Sequence, residues 1–84
     1  MAGPVTIYTT QTCGFCQATK TFFAENGVAY TEIDVGADQA KAREMIEKSG
    51  QMGVPVTVIG EGENEQIIVG FDRARLAATL GVNG

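Results

Sequence analysis

The feature that most constrains this chain is a pair of cysteines two residues apart, at the point where a strand pattern gives way to a helical one. Cys13 and Cys16 are the only cysteines in the 84 residues. They follow an apolar, β-branched segment, residues 5–9, and open a segment, residues 14–26, that the pattern predicts to be helical. Such a C-x-x-C motif is typical of thiol–disulfide exchange, because unpaired N–H groups and the helix dipole favour a thiolate there. We predict Cys13 as the nucleophile and Cys16, one turn along, as the resolving thiol.

The rest of the chain alternates between strand and helix patterns. Apolar periodicity and glycine stops predict strands at residues 5–9, 28–35, 55–59 and 66–69, and helices at residues 14–26, 38–49 and 73–80. Glycine and polar residues between the last two strands predict a hairpin, and Asp72 is a good N-cap for the last helix. The order is β-α-β-α-β-β-α. A right-handed βαβ unit followed by a hairpin predicts an α/β fold, a four-stranded mixed sheet with three helices distributed over both faces.

Length, composition and charge narrow the possible functions. We expect one domain, residues 1–84, and a net charge of −4 argues against nucleic acid or an anionic membrane as the main partner. The N-terminus shows no secretory signal pattern, and no apolar run is long enough for a membrane span. We therefore expect a cytoplasmic monomer. In a reducing compartment the cysteine pair would rest as a dithiol and cycle during catalysis.

Three segments together resemble the glutaredoxin family, which has the thioredoxin fold. They are residues 8–16, which end in Cys-Gly-Phe-Cys, residues 53–56, Gly-Val-Pro-Val, and residues 69–72, Val-Gly-Phe-Asp. The resemblance covers nearly the whole length and is closest to short bacterial glutaredoxin-like redoxins of the YruB type. It implies a cis Val54–Pro55 bond facing the disulfide, where the Val54 backbone would pair with an extended cysteinyl substrate.

The resemblance also implies where glutathione would bind as a co-substrate. Backbone N–H groups of the turn Gly70, Phe71 and Asp72, at the start of the last helix, would bind its γ-glutamyl carboxylate. Gln51 occupies a position that often meets the glycyl carboxylate in the family.

Two other side chains near the motif can be placed from the sequence. Phe15, between the cysteines, is predicted to be exposed, and an exposed aromatic ring beside a reactive sulfur indicates contact with a substrate or partner. Lys20 lies on the first helix and is predicted to be simply solvated.

Together these features predict a dithiol oxidoreductase with no bound cofactor and no metal. It would reduce protein disulfides or glutathione mixed disulfides. Its electrons would come from glutathione or from a flavoprotein resembling thioredoxin reductase. Both donors stay open, because Thr10 stands where many glutaredoxins have a lysine, Val69 replaces the first glycine of a Gly-Gly turn, and Gly-Phe replaces the usual Pro-Tyr between the cysteines.

The main alternative is an iron–sulfur carrier. Cys-Gly-Phe-Cys shares three of its four residues with the Cys-Gly-Phe-Ser of monothiol glutaredoxins, which hold a [2Fe–2S] cluster between two monomers with glutathione. Two cysteines and no histidine cannot complete a four-ligand site within one chain, which also disfavours zinc. A purely structural disulfide is least favoured, because so short a loop gains little stability from closure.

Overall fold

The computed structural model describes residues 3–82 and places their strands in one mixed sheet. The elements are β1 (Val5–Thr9), α1 (Gly14–Glu25), β2 (Thr31–Asp34), α2 (Gln39–Ser49), β3 (Val56–Ile59), a 3-10 turn (Gly62–Asn64), β4 (Gln66–Val69) and α3 (Arg73–Leu80). The strand order is β2-β1-β3-β4, with β1 and β2 parallel and β3 antiparallel to both of its neighbours. The predicted β-α-β-α-β-β-α fold is confirmed. The ends of the predicted domain, residues 1, 2, 83 and 84, lie outside the described residues.

Helices cover both faces of the sheet, as predicted. Side chains alternate between the faces along each strand, so neighbouring strand residues serve different layers. The layer beneath α1 and α3 contains Val5, Ile7, Phe22, Phe23, Ile59, Ile68 and Leu76. The layer beneath α2 contains Tyr8, Met45, Val56 and Val58. The first layer, through Phe22 and Phe23, packs α1, which carries the cysteine motif, against one face of the central strands.

β2 is shorter than the predicted strand, residues 28–35, which is therefore wrong at its N-terminal end. The chain turns at Gly27, whose φ of 66° suits glycine, and the Val28 N–H donates to the Phe23 carbonyl at 2.9 Å. The Tyr30 ring lies with its centroid 5.2 Å from that of Phe23. These residues complete the end of α1 instead of pairing with β1. The other predicted boundaries agree with the structure to within one residue.

The three sequence motifs meet at one end of the sheet. Parallel pairing places Thr9 of β1 opposite Asp34 of β2. Antiparallel pairing places Tyr8 opposite Val56, and Val56 opposite Val69. The cysteine motif follows β1, the Val54–Pro55 segment precedes β3, and the turn into α3 follows β4. The sheet therefore brings all three segments to the same edge.

Candidate active site

Cys13 is the residue on which α1 begins. Its backbone is extended, with φ −88° and ψ 112°, and its sulfur accepts a hydrogen bond from the Cys16 N–H at 3.1 Å. An N-cap side chain receives one of the donors that a helix leaves unpaired, and the positive end of the helix dipole points the same way. Cys13 is only half-buried. The fold thus presents a reachable sulfur with a hydrogen-bond donor aimed at it.

Cys16 has different surroundings, although it lies only one turn along the same helix. The residue is 1% exposed. Burial raises the pKa of its thiol to about 12, and the hydrogen bond with Cys13 adds to the rise, while a Thr10 backbone hydrogen bond and the Lys20 charge oppose it. Both cysteines are free thiols in this structure. A buried thiol behind a reachable one is the arrangement that the predicted resolving and attacking roles require.

Phe15 projects from the first turn of α1 into solvent. Its side chain is 68% exposed, which confirms the predicted exposure. The Phe15 carbonyl accepts a hydrogen bond from Thr19 Oγ1 at 2.9 Å, so the backbone that carries the ring is held in the helix. Its role in substrate contact stays a prediction.

The Val54–Pro55 peptide bond is cis, as the resemblance implied. The Pro55 carbonyl accepts from the Gly70 N–H at 2.8 Å, which joins this loop to the turn that follows β4. Gln51, by contrast, is occupied within its own loop: its Nε2 donates to the Gly53 carbonyl at 3.0 Å, and its Oε1 accepts from the Gly53 N–H at 3.2 Å. In this structure the Gln51 amide closes a turn ahead of the cis bond.

The turn into α3 combines a glycine conformation with a helix cap. Gly70 has a φ of 78°, a region that side chains rarely adopt. Asp72 caps α3, and its Oδ1 accepts from the Arg75 N–H at 3.1 Å. The Phe71 ring packs edge-on against Phe22, with centroids 6.4 Å apart, so it belongs to the core. The carboxylate of Asp72 therefore already satisfies one donor at the helix start where glutathione was predicted to bind.

Two open pockets border the cysteine motif on the β2 side, and neither was predicted from the sequence. The larger, of about 310 Å³, is lined by Thr10, Gln11, Thr12, Asp34, Gly36 and Ala37. The smaller, of about 200 Å³, is lined by Thr9, Thr10, Gln11, Gln17, Lys20, Glu32 and Asp34. The parallel pairing of β1 with β2 could have indicated these pockets, because it brings polar residues at the end of β2 next to the cysteine motif.

Lys20 is engaged in an ion pair, so the prediction of a merely solvated side chain is wrong. Its Nζ lies 2.9 Å from Glu32 Oε2, an oxygen that also accepts from Thr9 Oγ1 at 2.8 Å. The hydrogen bond to Lys20 is the main cause that lowers the pKa of Glu32, and the same bond raises the pKa of Lys20. The pair links α1 to β2 across the end of β1, a meeting that sequence spacing does not reveal.

Within residues 3–82, the side chains of His, Cys, Asp and Glu form no group of three or more that could hold a metal ion. None of the described helices combines the length and the apolar character that crossing a membrane requires.

Comparison with known proteins identifies the family. The glutaredoxin family model matches residues 5–63. The chain is 35% identical over 72 residues to an uncharacterized glutaredoxin-like 8.6 kDa protein in the rubredoxin operon of Clostridium pasteurianum, a match that covers 86% of this chain and 91% of that protein.

Solved structures share the architecture, and two of them bear on function. One is the glutaredoxin-like protein NrdH-redoxin from Escherichia coli, which has a thioredoxin-like activity profile; the TM-score is 0.72 at 27% identity, covering 89% of this chain and 92% of that one. The other is a buckwheat glutaredoxin–glutathione complex, with a TM-score of 0.72 at 25% identity, covering 93% of this chain and 70% of that one. The molecule has the thioredoxin fold, and the chain belongs to the glutaredoxin family of thiol–disulfide oxidoreductases.

Proposed function

We propose that this protein reduces disulfides in two exchanges, in which Cys13 attacks and Cys16 resolves. The observation that carries the proposal is the contrast between the half-buried N-cap sulfur of Cys13, which accepts a 3.1 Å hydrogen bond from the Cys16 backbone N–H, and the buried thiol of Cys16. A group that attacks first must be reachable. A group that attacks only the mixed disulfide needs access to Cys13 alone.

The two exchanges balance in electrons and protons. The Cys13 thiolate attacks one sulfur of the substrate disulfide, and the other sulfur leaves with the bonding pair and takes a proton from water. Cys16 then loses its proton to solvent and attacks the Cys13 sulfur, which releases the second substrate sulfur as a thiol. The substrate gains two electrons, and the protein is left with a Cys13–Cys16 disulfide.

Substrate contacts are proposed at the edge where the three segments meet. The Val54 backbone beside Pro55 would pair with an extended cysteinyl segment, and the exposed ring of Phe15 would cover its apolar side chains. The backbone donors of Gly70, Phe71 and Asp72 would take an anionic group. For Gln51 we propose a loop-forming role instead of carboxylate binding, because it would first have to release both hydrogen bonds to Gly53.

We propose a flavoprotein dithiol reductase as the main electron donor. Glutathione carries two carboxylates, but the larger pocket beside Thr10 contains one charged side chain, the carboxylate of Asp34, and in the smaller pocket the Lys20 ammonium is already paired with Glu32. The similarity to NrdH-redoxin, with its thioredoxin-like activity profile, points the same way. Glutathione is the second candidate, supported by the structural likeness to the buckwheat glutaredoxin–glutathione complex. We place the protein in the reducing cytoplasm, acting as a monomer.

Parallel turnover assays test this proposal. One arm supplies NADPH, glutathione reductase and glutathione with a small mixed disulfide; the other supplies NADPH and a thioredoxin-reductase-like flavoprotein with a protein disulfide. We expect faster turnover in the flavoprotein arm, lost in both Cys13→Ser and Cys16→Ser. Faster turnover in the glutathione arm would assign glutathione as donor. Absence of turnover in both arms, by a protein whose Cys13–Cys16 disulfide forms and is reduced by dithiothreitol, would contradict the function itself.

The iron–sulfur alternative finds no specific support in the described residues. A cluster would need the buried Cys16 to turn outward, or would use Cys13 alone with ligands from a second chain and external thiols. Anaerobic reconstitution with iron, sulfide and glutathione, followed by visible absorbance spectroscopy, tests this alternative. A stable brown dimer would revive it.

A further inference from the structure

We propose that the ammonium group of Lys20 assists the resolving step, by holding a positive charge beside Cys16 while the Cys16 thiol loses its proton. The inference deepens the proposed function and rests on it. Lys20 acts through Cys16 and does not touch the substrate, so it is a positioning residue and not a catalytic one.

The geometry places Lys20 and Cys16 on the same side of α1. Residues four apart on a helix are neighbours on its surface, and Lys20 follows Cys16 by four. The Lys20 side chain is only 20% exposed and is anchored by Glu32, which in turn accepts a hydrogen bond from the buried Thr9. Cys16 is buried one turn before Lys20, and the N–H of Cys13 donates to the carbonyl of Thr10, the residue after β1, at 3.4 Å. The cation and the thiol therefore converge on the end of β1.

Titratable and charged groups lie on α1 and on the elements next to it. They are Cys13 and Lys20 on α1, Glu32 and Asp34 on β2, Tyr30 before β2, and Asp72 and Arg73 at the start of α3, where Arg73 lies over the Phe22 ring at 5.8 Å. Among them, Lys20 is the cation whose charge lowers the pKa of Cys16. Because Cys16 is buried, a charge one helical turn away acts on it more strongly than it would on a thiol at the surface.

The need for such a charge follows from the chemistry of the step. Burial keeps the Cys16 thiol protonated at neutral pH. To resolve, it must give its proton to solvent, form a bond from its sulfur to Cys13, and break the bond between Cys13 and the substrate sulfur, which leaves with the electron pair. Negative charge develops on Cys16 before it is passed on. A nearby ammonium favours that charge without taking the proton.

Reaction with dithiobis(nitrobenzoate) isolates this step without any reductase. Cys13 displaces one thionitrobenzoate, and Cys16 then displaces the second from the mixed disulfide in a phase that does not depend on reagent concentration. We expect Lys20→Met to slow the second phase by about threefold to tenfold. This ratio of the parent rate to the Lys20→Met rate should stay constant from pH 6 to pH 9. It should approach one at higher pH, where Lys20 loses its charge in the parent protein. Lys20→Arg should restore the rate.

Two further variants separate charge from structure. Lys48→Met removes a similar ion pair, in which the Lys48 Nζ lies 2.9 Å from Glu65 Oε2 next to the far end of β4. This substitution should leave the rate of the second phase unchanged. Glu32→Gln breaks the Lys20 pair but keeps the ammonium, and should not slow the second phase. The electrostatic role would be overturned if Lys20→Met and Glu32→Gln slowed the second phase equally. It would also be overturned if the slowing by Lys20→Met were the same at every pH. Release of a single thionitrobenzoate by the parent protein would instead contradict the proposed function.

Discussion

Cys13 and Cys16 have the same side chain, but the fold gives each a different environment. The strand-to-helix junction makes Cys13 an N-cap, and helical periodicity turns Cys16 toward the sheet, where burial raises the pKa of its thiol to about 12. The position of Cys13 at the start of α1 could be predicted from the sequence, because it depends on local structure, but the burial of Cys16 was not predicted. The Lys20–Glu32 pair could not be predicted, because its members come from elements that meet only after the sheet forms.

Thr57 offers a test of the packing on the α1 side of β3. The residue is completely buried between Ile7 and Ile68, and its Oγ1 has no hydrogen-bond partner among residues 3–82. A desolvated hydroxyl without a partner lowers stability. We expect Thr57→Val, which keeps the branched shape, to raise the free energy of unfolding in urea by about 1 kcal/mol.

Thr19 is the matched control for that substitution. It is equally buried, but its Oγ1 donates to the Phe15 carbonyl at 2.9 Å. Thr19→Val should therefore lower the free energy of unfolding or leave it unchanged. A loss of stability in Thr57→Val as large as that in Thr19→Val would show that the Thr57 hydroxyl is satisfied in solution.

At the scale of elements, the start of α3 depends on the cap that Asp72 provides. Its Oδ1 accepts from the Arg75 N–H at 3.1 Å, as Asp38 does from the Lys41 N–H at 3.2 Å at the start of α2. We expect Asp72→Ala to lower the free energy of unfolding by about 1 kcal/mol, and Asp72→Asn, which can still cap, to lower it much less. Thermal or urea unfolding measures both. Equal losses in the two variants would contradict a capping role.

The elements themselves were largely predictable, and the one failure has a structural cause. Residues 28–35 alternate as a strand should, but Val28 and Tyr30 bind back to the end of α1 through Phe23. A local pattern cannot report such a tertiary contact. The cis Val54–Pro55 bond was likewise beyond the pattern, because a proline at that point also fits a plain strand start. Only the family resemblance implied it.

At the scale of the whole molecule, stability should depend on pH at both extremes. The pKa values of Glu32 and Glu44 are lowered, mainly by hydrogen bonds from Lys20 and Lys41. Their contribution is present above the unfolded carboxyl pKa and is lost as the pH falls through the lower folded values. Burial raises the pKa of Tyr8 from 10.0 to about 12, so its contribution is full below pH 10 and is lost as the pH rises toward 12.

Urea unfolding across the pH range measures this profile. We expect the free energy of unfolding to form a plateau between about pH 5 and pH 9 and to fall on both sides. Tyr8→Phe should reduce the fall in the free energy of unfolding at alkaline pH and leave the fall at acidic pH in place. Stability that keeps rising above pH 10 would contradict the assignment for Tyr8.

Some features of the candidate site also depend on tertiary contacts that local sequence patterns do not predict. Alternation of strands and helices predicted the mixed sheet, and that sheet brings the three motifs to one edge. The sequence did not reveal that Gln51 would be held by Gly53, or that Asp34 would line a pocket beside Thr10. Both depend on side-chain directions that are set after the backbone has folded.

The most direct test of the central claim is to trap the mixed disulfide. Cys13→Ser and Cys16→Ser are each incubated at pH 7 with a small peptide disulfide and analysed by intact-protein mass spectrometry. We expect one stable peptide adduct, on Cys13, in the Cys16→Ser protein and none in the Cys13→Ser protein. An adduct that forms on Cys16 in the Cys13→Ser protein, at a comparable rate, would contradict it.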